Sequence, residues 1–414
     1  MAALGKYIFI ADDFTGATDT LATLARAGLV VRLFLHAPNP DEVVELDAFG
    51  IATEARALGN DEIAELMTGI GQQLVPHQPE FIHYKICSTF DSAPATGNFA
   101  LTMRRLSCAV GIPRQAIIGG QPSLGRYCAF GHLFARAADG AVYRIDRHPV
   151  MKEHPVTPMK ESDLARHFIS LGGEPPTLVD YVALKQPGDE DQHSLTGVTL
   201  FDAMDEQNVS RVGDLLRANR PILCAGPSSV AEAVVGTGER REPQPMPTNG
   251  PVLAFVGSRS SVSAEQIRQA REYEAFSLTP TQITADGDLD DAIEAPSMAL
   301  RAGKNVLLYI DASAPVGTPR ELAQRSAALV CEIVASTQVG ALVIAGGDTS
   351  SAISRALGPQ CIAYLGDIDR GVSLCRAEFE NKNDLPVVLK GGQVGRPDLF
   401  DHLAVNVFSL PRGG

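Results

Sequence analysis

Short apolar runs alternate with longer amphipathic segments along most of the chain, which predicts alternating strands and helices. In the first half, strands are expected at 7–10, 30–35, 49–52, 81–85, 116–119, 178–182, 198–201 and 222–224. Helices are expected between a cap at residue 15 and an end at residue 28, and at 61–74, 98–110, 162–171 and 209–218. This alternation is typical of βαβ units, so it predicts a mostly parallel sheet flanked by helices.

A polar segment with three prolines, 237–250, interrupts the alternation and is interpreted as a linker. Strands follow it at 252–256, 306–310, 342–345 and 387–389, with helices at 263–274, 290–302, 319–337 and 350–357. Since 414 residues are too many for one ordinary core, we expect two α/β domains, 1–236 and 251–414. The active site is expected in the cleft between them.

The composition narrows the class of protein. A net charge of -14 argues against an extended nucleic-acid interface, which needs clustered basic residues. No stretch approaches the roughly 20 apolar residues that cross a bilayer, and residues 1–6 lack the apolar core of a signal peptide. The seven cysteines are scattered without a C-x-x-C pair, so neither a disulfide framework nor a zinc site is expected. We therefore expect a cytoplasmic protein that binds neither nucleic acid nor membrane.

Two adjacent carboxylates, Asp12 and Asp13, follow the first predicted strand, at the end where open α/β sheets bind their ligands. Thr15 is expected to cap the next helix, and Gly16 to let a ligand approach the backbone. One aspartate could deprotonate a hydroxyl or hold a metal ion. The alternative is that the pair only turns the chain and caps the helix.

Basic and hydroxyl side chains follow three other strands of the first half. Arg56, Lys85 and Arg126 could gather positive charge opposite the aspartates, which suits a small carboxylate substrate. Ser88 and Thr89, beside Lys85, could hold its hydroxyl groups. Each of these residues alone is also typical of an ordinary surface.

Three turns rich in glycine and hydroxyl groups follow strands of the second half. They are Val256-Gly-Ser-Arg-Ser-Ser261, Ala345-Gly-Gly-Asp-Thr-Ser-Ser351 and Lys390-Gly-Gly-Gln-Val-Gly395. Such turns can bind phosphate oxygens through backbone N–H groups at helix N-termini. All three should lie at one edge of a parallel sheet, so we expect a nucleotide there. The Walker, dinucleotide-binding and protein-kinase motifs are absent from the sequence.

These motifs, in this order, resemble the four-carbon acid sugar kinase family, formerly a domain of unknown function. The resemblance covers essentially the whole chain and rests on an ordered set of blocks. They are Ala11-Asp-Asp-Phe-Thr-Gly-Ala-Thr-Asp19, Lys85-Ile-Cys-Ser-Thr-Phe-Asp-Ser92, Gly125-Arg126, His154-Pro-Val-Thr-Pro-Met159, Gly257-Ser-Arg-Ser260, Gly346-Gly-Asp-Thr-Ser350 and Lys390-Gly-Gly-Gln-Val-Gly395.

The resemblance implies an ATP-dependent kinase that phosphorylates the terminal hydroxyl of a four-carbon sugar acid. The amino-terminal domain would hold the acid through Asp12, Asp13, Arg56, Lys85, Ser88 and Thr89. The carboxyl-terminal domain would hold ATP through Ser258, Ser260, Gly346, Gly347, Asp348, Thr349, Gly391 and Gly392. The form of the Lys85 block, together with 154–159, is similar to members that act on 3-oxo-tetronates; threonate and erythronate are the next expectation.

In the expected mechanism, ATP and Mg²⁺ serve an in-line transfer governed by positioning and charge neutralisation. Asp13 is expected to act as the base, and Asp12 to orient Lys85 or support the magnesium ion, although these roles could be exchanged. Lys85 and Arg56 would anchor the carboxylate. The magnesium ligands and the exact acid stay open, as does the oligomeric state, with a homodimer among the alternatives.

Two other functions fit parts of the pattern. A haloacid-dehalogenase-like phosphatase also begins with an aspartate after a strand, but it needs a second aspartate two residues later, where Phe14 or Thr15 stands. A non-catalytic sugar-acid sensor would close over the same anion. A sensor leaves the three glycine-rich turns without a purpose, so the sequence favours the kinase.

Overall fold

The structure, a computed structural model, describes residues 6–137, 139–153, 157–186, 194–239, 243–283, 289–311 and 318–408. His154 and residues 155–156 of one family block therefore lie outside the described residues. Contacts divide the chain into two units, Met1–Glu239 (unit 1) and Arg240–Gly414 (unit 2). Each unit is described by itself.

Unit 1 alternates strands and helices. Its strands are β1 Tyr7–Ala11, β2 Val31–Phe34, β3 Ala48–Ala52, β4 Phe81–Lys85, β5 Gln115–Ile118, β6 Arg126–Ala129, β7 His132–Arg136, β8 Val142–Arg144, β9 Thr177–Val179, β10 Val198–Phe201 and β11 Ile222–Gly226. Its helices are α1 Phe14–Arg26, α2 Asn60–Leu74, α3 Phe99–Val110, α4 Leu164–Ser170, α5 Tyr181–Leu184, α6 Glu206–Ala218 and α7 Ser229–Val235.

The large sheet of unit 1 has the order β2-β3-β1-β4-β11-β5-β10-β9, and all of its pairings are parallel. Strand β1 lies between β3 and β4, and each of its five residues is buried. Burial on both faces explains why β1 has a continuous apolar sequence instead of an alternating one. Strands β6, β7 and β8 form a separate antiparallel sheet.

Unit 2 continues the alternation. Its strands are β12 Val252–Val256, β13 Glu274–Leu278, β14 Val306–Ile310, β15 Ala341–Ala345, β16 Cys361–Asp369, β17 Val372–Glu378 and β18 Leu385–Lys390. Its helices are α8 Ser261–Gln269, α9 Pro280–Ile283, α10 Leu289–Arg301, α11 Pro319–Ser336, α12 Gly347–Leu357 and α13 Leu399–His402. The strands β13-β14-β12-β15-β18 are parallel, and β17 and β16 extend the sheet in antiparallel fashion.

The predicted fold class, two α/β domains built on mostly parallel sheets, is confirmed. The boundary between the units falls inside the segment interpreted as a linker, but that interpretation stays a prediction. Part of the segment belongs structurally to unit 2, since Thr248 is buried and the backbone N–H of Met246 donates to the carbonyl of Val407 at 2.8 Å.

Several elements differ from the sequence-based prediction, each for a local reason. The strand expected at 178–182 ends at Val179, because Asp180 accepts hydrogen bonds from the first amides of α5. Helix α8 ends at Gln269, and the predicted continuation to 274 gives way to the mostly exposed edge strand β13. Helix α7 was not predicted because six of its seven residues are buried, so its sequence shows no exposed polar face.

The antiparallel strands were missed as well. Polar residues such as Asp367 and Asp369 interrupt the apolar pattern of β16, and the hairpin to β17 turns through Gly371 at a φ of 74°. The sheet β6-β7-β8 is only partly buried, so its sequence does not show a strong period. Among the described residues, no helix is long and apolar enough to cross a membrane.

Candidate functional site

Three strands of unit 1 end side by side. In the parallel register, Ala11 of β1 pairs with Ala52 of β3 on one side and with Lys85 of β4 on the other. The backbone N–H of Asp12 donates to the carbonyl of Lys85 at 3.0 Å, and that of Thr53 donates to the carbonyl of Ala11 at 2.9 Å. The residues that follow these strands are therefore gathered at one edge of the sheet, as the sequence predicted.

Arg56 joins the two aspartates. Its Nε and Nη2 donate to Asp12 Oδ2 and Oδ1 at 3.0 and 2.8 Å, and its Nη1 lies 2.6 Å from Asp13 Oδ2. Such a planar two-point contact is stronger and more directional than a single ion pair. We call Asp12, Asp13, Arg56 and Lys85 the aspartate cluster.

Asp13 has a structural role in addition to any chemical one. It is the N-cap of α1, and its Oδ1 accepts the backbone N–H of Gly16 at 2.6 Å. The expectation that Thr15 caps this helix is therefore wrong, because the helix already begins at Phe14, two residues before the start that a cap at Thr15 implies. The remaining oxygen of Asp13 faces Arg56, and the side chain stays 20% exposed, compared with 8% for Asp12.

Lys85 reaches the same place from β4. It is 4% exposed, and its Nζ donates to the carbonyl of Ile86 at 2.9 Å. A Cβ on Gly16 would come within 2.6 Å of Asp13 Oδ1 and 2.7 Å of Lys85 Nζ. The ammonium of Lys85 and the carboxylate of Asp13 are thus close neighbours above Gly16. The glycine is needed so that these two side chains can approach each other, and not only so that a ligand can approach the backbone.

The turn after β4 adds hydroxyl groups. Thr89 is buried, and its Oγ1 donates to Asp91 Oδ1 at 2.5 Å and lies 2.8 Å from Cys87 Sγ. Ser88 is half-buried. Burial raises the pKa of the Cys87 thiol to about 11, an effect to which Asp91 adds. The thiolate is therefore disfavoured at neutral pH, which argues against a nucleophilic role for Cys87.

Arg126 lies on β6, in the small antiparallel sheet. Its Nη1 donates to the carbonyl of Leu124 at 2.7 Å, and its charge lowers the pKa of His148 as a minor effect beside burial. Its membership in an anion pocket with Arg56 and Lys85 stays a prediction.

The aspartate cluster is electrostatically strained. Burial raises the pKa of the Asp12 carboxyl and Asp13 adds to this effect, while Arg56 and Lys85 oppose it; the net pKa is about 6. The same two carboxylates hold the pKa of Arg56 well above its usual value, against the effect of burial. An arrangement of buried charges that perturb one another is typical of functional sites.

In unit 2, three parallel strands again end in register. Val256 of β12 pairs with Ala345 of β15, which pairs with Lys390 of β18. The backbone N–H of Gly257 donates to the carbonyl of Ala345, and that of Gly346 donates to the carbonyl of Lys390, both at 3.0 Å. The turns 257–260, 346–349 and 390–395, here called the glycine turns, therefore converge at one sheet edge, as the sequence predicted.

Hydroxyl groups join the first and third glycine turns. Ser260 caps α8 by accepting the N–H of Ser263 at 3.0 Å, and its hydroxyl donates to the carbonyl of Gly392. The hydroxyl of Ser263 donates to the same carbonyl at 3.0 Å. A Cβ on Gly392 would lie only 2.1 Å from Ser258 Oγ, so this turn needs glycine for its contact with the first turn.

The second glycine turn opens α12. Gly346 has a φ of 127°, which favours glycine, and its carbonyl accepts the N–H of Ser350 at 2.8 Å. The amides of Gly347, Asp348 and Thr349 stand in the first turn of the helix, where N–H groups have no partner within the helix. Such amides can bind phosphate oxygens. The exposed carboxylate of Asp348 itself complements the helix dipole.

Sequence reasoning assigned no role to three residues of these sites. Thr53 hydrogen-bonds to the carbonyl of Ala11 at 2.7 Å and supports the strand end before Arg56. Ser263 and the buried Lys390 lie beneath the glycine turns. A lysine at the end of an otherwise apolar strand is a signal that could have identified Lys390.

Among the described residues, no group of three or more histidine, cysteine, aspartate or glutamate side chains could hold a metal ion. The magnesium ligands, which the sequence left open, are therefore not supplied by such a cluster in the described ranges.

Comparison with known families identifies both units. A family model described as a sugar-binding N-terminal domain matches residues 7–234, more than half of the chain. A second, described as a nucleotide-binding C-terminal domain, matches residues 253–400. The chain belongs to the four-carbon acid sugar kinase family.

Individual relatives agree with this assignment. The kinase is 30% identical to the 3-oxo-isoapionate kinase of Paraburkholderia graminis, over 95% of this chain and 92% of the relative. It is 27% identical to the 3-oxo-tetronate kinase of Cupriavidus necator, over 95% of each chain. These relatives support its assignment as a sugar-acid kinase.

A solved structure supports the fold. A crystal structure of a Salmonella typhimurium LT2 protein matches this kinase with a TM-score of 0.79 and 20% identity, over 98% of this chain and 99% of the other. At that identity the likeness shows the fold alone.

We expect Gly16→Ala to lower the kcat/KM of the kinase by about 100-fold. The added methyl group would lie too close to Asp13 Oδ1 and Lys85 Nζ and would push both groups out of position. The variant should still fold, since the atoms it meets are the ends of side chains. Steady-state kinetics and thermal unfolding measure the two effects. Gly69→Ala on α2, where the added Cβ meets nothing within 4 Å, is the matched control and should leave activity unchanged. Full activity in Gly16→Ala would contradict the described closeness of Asp13 and Lys85.

The Asp12 carboxyl should titrate near pH 6, because burial raises its pKa. Arg56→Gln should raise this pKa further and Asp13→Asn should lower it, since Arg56 lowers it and Asp13 raises it. Carbon-13 NMR of labelled aspartate carboxyls measures all three values.

The pKa of Asp12 in the folded protein lies above the unfolded value of about 3.9. The contribution of Asp12 to the free energy of unfolding therefore falls as the pH rises from about 4 to about 6. A midpoint near 4, or shifts of the opposite sign in the variants, would refute this account of the cluster.

Proposed function

We propose that this kinase transfers the γ-phosphoryl group of ATP to the terminal hydroxyl of a four-carbon sugar acid, with a 3-oxo-tetronate as the first choice and threonate or erythronate next. One observation carries the proposal. In each unit, three parallel strands end side by side, and the residues that follow these strands differ in chemistry between the two units. Unit 1 offers charged groups that suit a hydroxy acid, and unit 2 offers glycines and hydroxyls that suit phosphates.

Asp13 is the better candidate for the group that accepts the proton of the attacking hydroxyl. Its side chain is more exposed than that of Asp12, and Arg56 contacts only one of its oxygens. Asp12 is buried, and both of its oxygens are held by Arg56, so its role is to fix the guanidinium. Catalysis by a positioned base of this kind typically contributes about 10²- to 10⁴-fold to the rate.

Lys85 is the stronger candidate for the anchor of the substrate carboxylate. Its ammonium has three donors, and one of them binds the carbonyl of Ile86. Arg56 already gives three of its five N–H groups to the aspartates, so its own share in binding the acid is the smaller one. Ser88 and Thr89, next along the chain, would hold the hydroxyl groups of the acid.

The nucleotide would bind at the glycine turns. Ser258 and Ser260 offer hydroxyl groups, and Gly346, Gly347 and Thr349 offer backbone amides at the start of α12. Gly391 and Gly392, which have no side chains, would allow the backbone of the third turn to approach the nucleotide closely. Asp348 would contribute through the helix terminus or through a bound cation.

Mg²⁺ would enter with the nucleotide, because this ion is usually held by phosphates and waters with one or two carboxylates. Such a mode fits a chain whose described residues contain no cluster of three ligating side chains. When bound, the ion would neutralise charge on the transferred group. The interdomain cleft stays a prediction, as does a homodimer.

The test is a coupled ADP-release screen of the full chain with erythronates, threonates and their 3-oxo derivatives. We expect turnover with at least one of these acids, and thermal stabilisation of the protein by Mg-ATP through binding linkage. A sugar-acid sensor would be stabilised by an acid but neither stabilised by Mg-ATP nor able to release ADP. That result would overturn the proposal.

The same assay tests Asp13. We expect Asp13→Asn to lower kcat by about 10²- to 10⁴-fold, because the amide cannot accept the proton but can still cap α1 through its oxygen. Asp61→Asn, an exposed aspartate in the first turn of α2, is the matched control and should keep full activity. If Asp13→Asn folds normally and turns over at the wild-type rate, Asp13 is not the base.

A further inference from the structure

Lys390 ends β18 at the point where the glycine turns meet. It pairs in parallel register with Ala345, the last residue of β15, and its carbonyl accepts the N–H of Gly346 at 3.0 Å. Gly391 and Gly392 follow it directly. Its backbone thus belongs to the framework of two glycine turns, but neither the family motifs nor the site prediction gives its side chain a purpose.

The side chain of Lys390 is buried beneath these turns. The residue is 1% exposed, and its Nζ donates to Ser263 Oγ at a long 3.3 Å. Ser263 stands in the first turn of α8, and its hydroxyl donates to the carbonyl of Gly392 at 3.0 Å. The ammonium is therefore located between the start of α8 and the third glycine turn.

No carboxylate compensates this charge in the part of the chain that the structure describes. Lys390 has no ion pair there, and burial is the cause that lowers its pKa to about 8. The charged side chains of the adjoining elements are all at least partly exposed, and none contributes to that pKa: Arg259, Glu265 and Arg268 at α8, Asp348 and Arg355 on α12, and Arg376 and Glu378 on β17.

A buried ammonium without a counter-ion is unfavourable, and such groups are usually paired or fully hydrogen-bonded. Lys390 has three donors and one long hydrogen bond among the described residues. Its position beside the first turn of α8 adds to the positive end of that helix instead of cancelling it. The free protein thus carries an unmatched positive charge where an anion would be stabilised.

We propose that the ammonium of Lys390 binds a phosphate group of the nucleotide from beneath the glycine turns, as a charged contact in addition to the backbone and hydroxyl donors. The inference rests on the proposed nucleotide site and names a further binding residue within it. A phosphate supplies the missing counter-charge and accepts the two unused N–H groups. No bond is formed or broken by Lys390 in this role.

A consequence distinguishes this role from a structural one. A bound phosphate raises the pKa of the ammonium above its value of about 8 in the free protein, so nucleotide binding near pH 8 takes up part of a proton. Affinity should accordingly fall as the pH rises through about 8. A lysine that only supports the turns would titrate alike with and without nucleotide.

The experiment is isothermal titration calorimetry of the full chain with AMP-PNP and Mg²⁺ at pH 8, in two buffers of different ionisation enthalpy. The wild-type protein should take up about half a proton, since Lys390 is about half charged before binding. Lys390→Met should lose this uptake and bind about 10- to 100-fold more weakly, as expected for a hydrogen bond to a charged group.

Two further variants serve as controls. Ser263→Ala removes the partner of Lys390 but keeps the charge, so it should keep the proton uptake. Lys304→Met removes an exposed lysine that pairs with Glu274 and should match the wild type in both affinity and uptake. If Ser263→Ala instead reproduced Lys390→Met, Lys390 would act through the fold of the turn and the proposal would be wrong.

The outcomes separate the two proposals. If the wild-type protein did not bind AMP-PNP, the nucleotide site and the role of Lys390 would both fall. Binding without proton uptake by the wild-type protein would overturn the role of Lys390 alone, whether or not the Lys390→Met variant folds. Equal affinity of Lys390→Met and wild type would do the same.

Discussion

In-register pairing of parallel strands is the constraint on which both candidate sites depend. Ala11 is flanked by Ala52 and Lys85 in unit 1, and Ala345 by Val256 and Lys390 in unit 2. Since neighbouring strands run in one direction and end at the same level, the segments that follow them meet at one edge. A shift of one residue in any of these strands would turn its side chains to the other face and disperse the site.

The candidate sites of the two units differ in how their buried charges are compensated. In unit 1, Arg56 lies between Asp12 and Asp13, and Lys85 lies beside Asp13 across Gly16, so most of the charge is compensated within the cluster. In unit 2, the backbone and hydroxyl donors of the glycine turns are neutral, and Lys390 is a buried cation without a carboxylate partner in the described ranges. The first arrangement suits a reacting hydroxyl, and the second suits a highly charged anion.

The sequence predicted the parallel cores well, because strands such as β1 and β12 are buried on both faces and have continuous apolar sequences. It also predicted that Asp12, Asp13, Arg56 and Lys85 would share one edge, since each follows a strand. It could not predict that Asp13 both caps α1 and contacts Arg56, or that Gly16 leaves room for Asp13 and Lys85 to approach each other, because these facts depend on side-chain packing. The exposed strand β13 was missed because it has no continuous apolar run, and the hairpin β16–β17 was missed because polar residues such as Asp367 and Ser373 interrupt its apolar pattern.

Hydrogen–deuterium exchange of the full chain, with each ligand added separately, tests the central claim most directly. The sugar acid that supports turnover should slow exchange at 12–16, 53–56 and 86–91, and AMP-PNP with Mg²⁺ should slow it at 257–263, 346–350 and 391–395. The account predicts these two separate patterns. Protection of the segment around Asp12 by the nucleotide, with none at the glycine turns, would contradict it.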